Sequence, residues 1–449
     1  MIRFTAFLTG SFILSVNYKN IVLSKSIRQT IKYILTGSKG LVLQRRALAI
    51  DKIEVKELGI YLHIPFCRVP CLYCPYFKEK FDKNKALAYK DAVIKEIKFY
   101  RPLLKEKKIT SFYIGGGTPT TMVGYGLEEI ISTIQDSFDL RCDISTETHP
   151  NDITPSAVKH LKDIGVKNVS MGVESFNDHF LKKIGRPYTS STAKKSIKVL
   201  RTGDFKCVNI DIMFGLPDQK IADVEKDIKT ALSLNVDQIS AYPIFTFPHT
   251  RLKQVVKESG SRLPGIIERR KMLRVIERLC YDAEMERTSV WAFTNRGVDK
   301  YSSVTIPHYI GLGAGAGSLI PGSFFITIFN VLEYIKYLKE EQKPPIALTI
   351  DFSEKEEMIH WLYWRIYETK IDKGEFKEQF DKDFDKIFGK LFVFFKLFGL
   401  SHNYKDRIIM TDKGNYWVHV LQNLFSLDFI GRVWSICLAE TWPREIELI

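Results

Sequence analysis

Between Leu58 and about Pro243, short apolar runs alternate with amphipathic stretches, and this alternation constrains the fold more than any other feature of the chain. "LGIYLHI" (58–64) has the length and composition of a strand. Residues 86–104 follow with Leu87, Val93, Ile97 and Leu104 at helical spacing. "ITSFYIGG" (109–116) is the next strand and 126–138 the next helix. "CDISTE" (142–147) precedes a helix with Thr154 as N-cap and Pro155 at its first position. "VKNVSMGV" (166–173), "KCVNIDIMFG" (206–215) and "DQISAYPI" (237–244) bring the strands to six. Such alternation predicts a parallel sheet with right-handed crossovers. The fold class is therefore α/β, a partial or full (β/α) barrel of about six parallel strands, with an open doubly wound sheet as its rival. In both, ligands gather at the C-terminal ends of the strands.

Further along, 266–280 reads as a helix rich in Arg and Leu, and "GLGAGAGS" (311–318) follows. "KPP" (343–345) has the composition of a linker. Residues 352–368 and 386–400 read as helices, and 408–425 as a short strand, a turn and a helix. The expected organisation is an N-terminal extension (1–57) of helical character, a barrel core (58–250) and an extension with the glycine run (251–342). A smaller, mostly helical, wing-like C-terminal domain (346–449) completes it.

Lys and Arg number 66 against 52 Asp and Glu, a formal charge of +14, which suits an anionic partner. The lysines are spread throughout and no arginine-rich arm is present, which argues against nucleic acid. Phe4 to Val16 is apolar over about 13 residues, short of the ~20 that span a bilayer. With Lys25, Arg28, Lys32, Lys39, Arg45 and Arg46 behind it, this segment is a candidate for peripheral membrane contact.

Seven cysteines in 449 residues make no regular disulfide framework and point to a reducing, cytoplasmic setting. Three of them, Cys67, Cys71 and Cys74, fall in the loop after the first strand. Thiolates are soft ligands suited to zinc or iron–sulfur clusters. Structural zinc usually takes four protein ligands, often as two separated pairs, and the chain has no second pair. His63 lies four residues upstream, where strand alternation aims it away from the loop. Three thiolates on a four-iron cluster leave one iron open for chemistry. Cys142, Cys207, Cys280 and Cys437 stand alone and are expected to be dispensable.

The spacing C-x3-C-x2-C, with Tyr73 before the last cysteine, resembles the hallmark of radical S-adenosylmethionine (SAM) enzymes. The longer "YLHIPFCRVPCLYC" resembles the branch of oxygen-independent coproporphyrinogen III oxidase, whose relatives include anaerobic haem-degrading methyltransferases and haem chaperones. The resemblance covers roughly residues 58–320, through "YIGGGTPT" (113–120), "STETHP" (145–150), "VSMGVESFN" (169–177), "GR" (185–186), "NIDIMFGLP" (209–217) and "GLGAGAGS". It implies a [4Fe–4S] cluster on Cys67, Cys71 and Cys74, and one or two molecules of SAM cleaved to a 5′-deoxyadenosyl radical. It implies SAM contacts from Tyr61, Tyr73, Gly116, Gly117, Thr118, Glu147, Glu174, Arg186, Asp211 and Gly317. Gly117, Thr118, Arg186 and Asp211 match positions of a second SAM site. It also implies a tetrapyrrole substrate, haem or a porphyrin, and an electron donor such as flavodoxin or ferredoxin. No residue is assigned a catalytic role.

The chain departs from the family pattern at three places. Glu174 stands where relatives usually carry Gln, and a carboxylate accepts hydrogen bonds but cannot donate as an amide does. Tyr76 stands where the decarboxylase carries a fourth cysteine, which argues against coproporphyrinogen decarboxylation. "NRGVDKYSSVTIPHYIG" (295–311) lacks the His-Asn-x-x-Tyr-Trp of the chaperones, and its one histidine, His308, is displaced towards the glycines. Methyl transfer to a tetrapyrrole, or its modification, is the leading expectation. An oxidase-type reaction and a non-catalytic haem chaperone are the alternatives.

Overall fold

A computed structural model describes residues 40–46, 50–301 and 306–448. The apolar segment Phe4 to Val16 and the basic residues Lys25 to Lys39 lie outside the described residues. Strand β1 (Leu41–Gln44) comes first. The alternating region then gives β2 (Glu57–Ile64), α1 (Lys83–Leu104), β3 (Lys108–Gly116), α2 (Leu127–Ser137), β4 (Ile144–Thr148) and α3 (Pro155–Asp163). It continues with β5 (Val166–Glu174), α4 (Ser190–Arg201), β6 (Cys207–Phe214), α5 (Ile221–Ser233) and β7 (Gln238–Pro243).

Strands β2 to β7 lie side by side in chain order, each neighbouring pair parallel and joined by a crossover helix. That single winding is the winding of a barrel, whereas a doubly wound sheet reverses direction at a switch point. Local signals set the helix starts. Thr154 accepts from the Ala157 amide at 3.1 Å to cap α3, and Asp82 caps α1 through Lys85 at 2.8 Å. Helix α2 buries Leu127, Ile130, Ile131 and Ile134, one stripe at three- and four-residue spacing, against the sheet.

The barrel is partial. Beyond β7 the sheet continues antiparallel into β8 (Ala292–Thr294). Beyond β2 it continues into β9 (Tyr309–Leu312), parallel to β2, and then antiparallel through β10 (Gly317–Ile320), β11 (Ser323–Thr327) and β12 (Ile346–Asp351). Strand β1 pairs with both β12 and β13 (Glu445–Leu448). Strands β2 and β7 therefore never meet. Helix α6 (Ile266–Asp282) packs on α5, and α7 (Val331–Glu340) packs on α1.

The C-terminal region is mostly helical, with α8 (Glu354–Tyr367), α9 (Phe384–Leu397) and α10 (Asp412–Ala439) around a small three-stranded sheet. It has its own core of Trp361, Ile371, Phe376, Phe384 and Phe392. Two boundaries differ from expectation. Residues 41–44 are a strand within the span expected to be helical. Strands β12 and β13 belong to the main sheet, so 346–449 is tied into the barrel rather than hung from it. Helix α10 runs to Ala439, well past 425, because Val433 and Cys437 carry its buried face on into the main core. No described helix is long and apolar enough to cross a membrane.

Candidate metal and cofactor site

The loop carrying the three cysteines is closed at its base. Phe66–Cys67 pairs in parallel with Glu79–Lys80, and the Phe81 amide donates to the Cys67 carbonyl at 2.9 Å. The Leu72 carbonyl takes the Leu252 amide at 3.0 Å, which fixes the loop's middle. Cys67 is buried with the Thr118 hydroxyl 3.5 Å from its sulfur. Cys71 and Cys74 pack among Tyr73, Phe180, Ile184, Leu216, Ile244 and Leu252. Arg186 Nη1 donates to Cys71 Sγ at 3.1 Å.

These donors fit a cluster better than a single ion. Burial pushes the Cys67 thiol up to about 12 and raises Cys74 as well, so a cationic centre is what would ionise them. The three sulfurs feel one another electrostatically. Yet among the described residues no three His, Cys, Asp or Glu side chains converge as a single-ion cage requires. A four-iron cluster asks for one thiolate per iron instead, and three thiolates on one short loop can supply three.

The glycine turn after β3 lies directly against this loop. The Gly117 amide donates to the Ile64 carbonyl at 2.7 Å and the Thr118 amide to the Phe66 carbonyl at 2.8 Å. A Cβ on Gly117 would stand 2.7 Å from the Phe66 oxygen. Gly116 has φ 110°, and a Cβ there would strike the His63 ring at 2.6 Å. Contacts inside the chain thus already demand both glycines. Gly317 opens β10, where a Cβ would meet Phe324 and Ile326, and its carbonyl lies against Gly311, the residue paired with Tyr61.

Strand ends bring the remaining side chains together. Tyr113 donates to Glu147 Oε1 at 2.6 Å and the Gly116 amide to Oε2 at 3.2 Å. Tyr61 stacks on Tyr113 and donates to His63 Nδ1 at 2.8 Å, while His63 Nε2 donates to the Phe77 carbonyl at 3.0 Å. Burial drives His63 down to about 4, so this ring is neutral at pH 7 and serves as a strut between strand and loop. Tyr73 is buried and donates to Glu174 Oε1 at 2.8 Å, rather than standing open to a ligand. Arg186 pairs with the same oxygen, donates to the Gly172 carbonyl at 2.9 Å, and lies between the rings of Tyr73 and Tyr188. Asp211 accepts from Ser170 and Asn209, both at 3.1 Å. Burial, and then the Glu174 and Glu147 carboxylates, raise Asp211 to about 8, so it is protonated at pH 7.

The structure therefore gathers Tyr61, Tyr73, Gly116, Gly117, Thr118, Glu147, Glu174, Arg186 and Asp211 around the cysteine loop, and sets Gly317 on β10, one strand beyond the β9 that pairs with Tyr61. It also shows groups that the sequence reading did not count among the site residues. Tyr76 leaves 51% of its surface accessible, and Cys74, Glu147 and Asp211 all act on it electrostatically, so an open ring stands close to the cysteine loop and the strand-end acids. Beneath Asp211 runs a buried belt. Asn209 donates to Ser170 at 2.7 Å, Ser240 to Asn209 at 2.9 Å, and Gln238 to Ser240 at 3.3 Å. The belt had a signal, polar residues two apart on β5, β6 and β7, which alternation aims at the barrel interior.

The radical SAM superfamily profile matches residues 61–231. The heme chaperone HemW of Lactococcus lactis subsp. lactis (strain IL1403) is 28% identical over 374 residues, 80% of this chain and 94% of that protein. The anaerobilin synthase of Escherichia coli O157:H7 is 25% identical over 377 residues, 82% of this chain and 84% of that one. Among solved structures, coproporphyrinogen III oxidase (HemN) from Escherichia coli, itself a radical SAM enzyme, aligns with a TM-score of 0.72 at 21% identity. It covers 83% of this chain and 91% of that one, and it shows the fold.

Proposed function

From the premise that the chain carries a radical SAM domain of the coproporphyrinogen III oxidase-like branch, we propose that it is an enzyme that modifies a tetrapyrrole, by methyl transfer in the first instance. The observation that carries the substrate class is Tyr76, a large accessible ring on the cysteine loop that offers a flat face for a planar macrocycle to stack on. When bound, a [4Fe–4S] cluster and SAM would supply a 5′-deoxyadenosyl radical. Cys67, Cys71 and Cys74 would hold the cluster, and Thr118 and Arg186 brace two of those sulfurs. Glu147 has acceptor capacity beyond Tyr113 and Gly116 for a SAM amino group or ribose hydroxyl. Asp211, kept protonated, presents a neutral acid beside Glu147 and Glu174, so its carboxyl does not repel substrate propionates.

Methyl transfer is favoured over decarboxylation because Tyr76 occupies the position of the decarboxylase's extra cysteine. One observation favours a second reading, haem binding without turnover. Arg186 is already committed to Glu174, Gly172 and Cys71 and so is less free to hold a second SAM carboxylate. Anaerobic incubation with reductant, SAM and haem or a related porphyrin, read by mass, separates these. Methyl transfer gives 5′-deoxyadenosine, S-adenosylhomocysteine and a methylated macrocycle together. Carbon dioxide without methylated product eliminates it. Tight haem binding with no SAM consumed establishes the second reading.

A further inference from the structure

Helix α9 is apolar on nearly every side, with Phe384, Ile387, Phe388, Leu391, Phe392, Val393, Phe394, Phe395 and Leu397 among its 14 residues. A helix of that kind is normally enclosed. Here Phe384, Phe392 and Phe395 fill the C-terminal core, while Ile387 is 45%, Val393 58% and Leu397 78% exposed. At 100° per residue these three share the outward half of the helix with Lys386 and Lys390, and Lys396 flanks them. Among the described residues no carboxylate pairs with these three lysines, and the acid on that helix edge, Asp385, is taken by Lys373. Tyr404, 48% exposed, tops a hairpin tied to the helix through Asn403, which donates to the Phe392 carbonyl at 2.9 Å, and Lys405 stands exposed beside it.

We infer that the outward face of α9 rests on an anionic lipid surface. A protein partner would meet an apolar centre with charge at the rim, and lysine is depleted from such centres. On α9 the lysines are interleaved with the apolar tips. That arrangement suits a bilayer boundary, where lysine stems lie along the acyl region and their heads reach lipid phosphates. This surface is independent of the tetrapyrrole reading.

Vesicle flotation of the full chain tests it. The protein should float with phosphatidylcholine vesicles that contain phosphatidylserine, not with phosphatidylcholine alone, and less as salt rises. Lys390→Glu should weaken partition at least roughly fivefold, the contribution of one lysine near such a surface. Leu397→Glu should weaken it at every salt concentration. Both positions are exposed, so circular dichroism melting and iron content should match the parent protein. Failure of the parent protein to float with anionic vesicles overturns the inference. So does undiminished flotation of both variants, which would place the contact elsewhere on the chain. Lipid-free self-association lost in both variants would mean that a second copy covers the face.

Discussion

Glu174 adopts φ 65°, a backbone conformation that non-glycine residues seldom take, and its side chain accepts from both Tyr73 and Arg186. The carboxylate thus holds a buried guanidinium against the cysteine loop. Removing one partner of a buried pair leaves a bare charge, which costs about 3–5 kcal/mol. Glu174→Leu should lose that much in denaturation of the cluster-free protein, and Glu174→Gln less than half of it, because the amide oxygen still accepts. Equal losses would mean that shape rather than charge matters there. Arg186 allows a sharper measurement. Hydrogen bonds to cluster sulfurs raise reduction potential, and Arg186 donates to Cys71 Sγ. Arg186→Gln should move the midpoint of the reconstituted protein to more negative potential at unchanged iron content, read by an EPR-monitored titration. An unmoved midpoint would make Arg186 a brace for the loop alone.

At the scale of elements, α1 locks the glycine run in place. Tyr89 donates to the His63 carbonyl at 2.8 Å and accepts the Ala314 amide at 3.0 Å. Two turns on, Glu96 Oε2 accepts the Gly313 amide at 2.7 Å and also the Tyr334 hydroxyl. Burial pushes Glu96 up to about 7, with these bonds only partly opposing it. The folded state therefore keeps a proton on Glu96 between about pH 4.5 and 7 that the unfolded chain releases. Stability falls across that window as pH rises, by about 3 kcal/mol in total at about 1.4 kcal/mol per pH unit. Glu96→Gln has no such proton, so its stability relative to the parent should climb from pH 4.5 and level off above pH 7. A difference that does not change with pH would mean that Glu96 titrates alike in the folded and unfolded chain. Beside β3, Gly117→Ala should leave the barrel folded but lower iron content on reconstitution, because the added methyl pushes on the Phe66 carbonyl beside Cys67.

Elements were legible where periodicity is clean. The six parallel strands, α1 to α3 and the Thr154 cap could all be read from spacing. The short strands β9 to β11 could not, because four or five residues that contain or adjoin glycines look the same in a turn as in a ladder. At the site, the cysteines and strand-end acids were visible because their chemistry is rare. The commitments of Tyr73 and Arg186 to Glu174 were not, since all three partners meet only across 101 and 12 residues of chain.

On the scale of the whole molecule, the two described ends of the chain close one sheet edge together. Strand β1 matches β13 at four positions, Leu41 to Leu448 through Gln44 to Glu445, but meets β12 only at Gln44. Leu41, Leu43, Ile446 and Leu448 are all buried in the main core. Arg46 then reaches β12, pairing with Asp351 and donating to Thr349 at 2.8 Å. Neither strand has an alternation long enough to be recognised alone, and each depends on a segment some 400 residues away, as the pairing of Leu41 with Leu448 shows. Deleting residues 441–449 should therefore unpair β1 rather than unfold the barrel. The deletion strips two buried aliphatic side chains, each worth about 1.5–3 kcal/mol. Amide exchange at 41–44 should then speed up by at least about a hundredfold, the equivalent of about 3 kcal/mol. Amides of β2 to β7 should hold their protection, since their ladders are complete without β13. Loss of protection across β2 to β7 in the same deletion would instead make this edge part of the barrel's own folding unit.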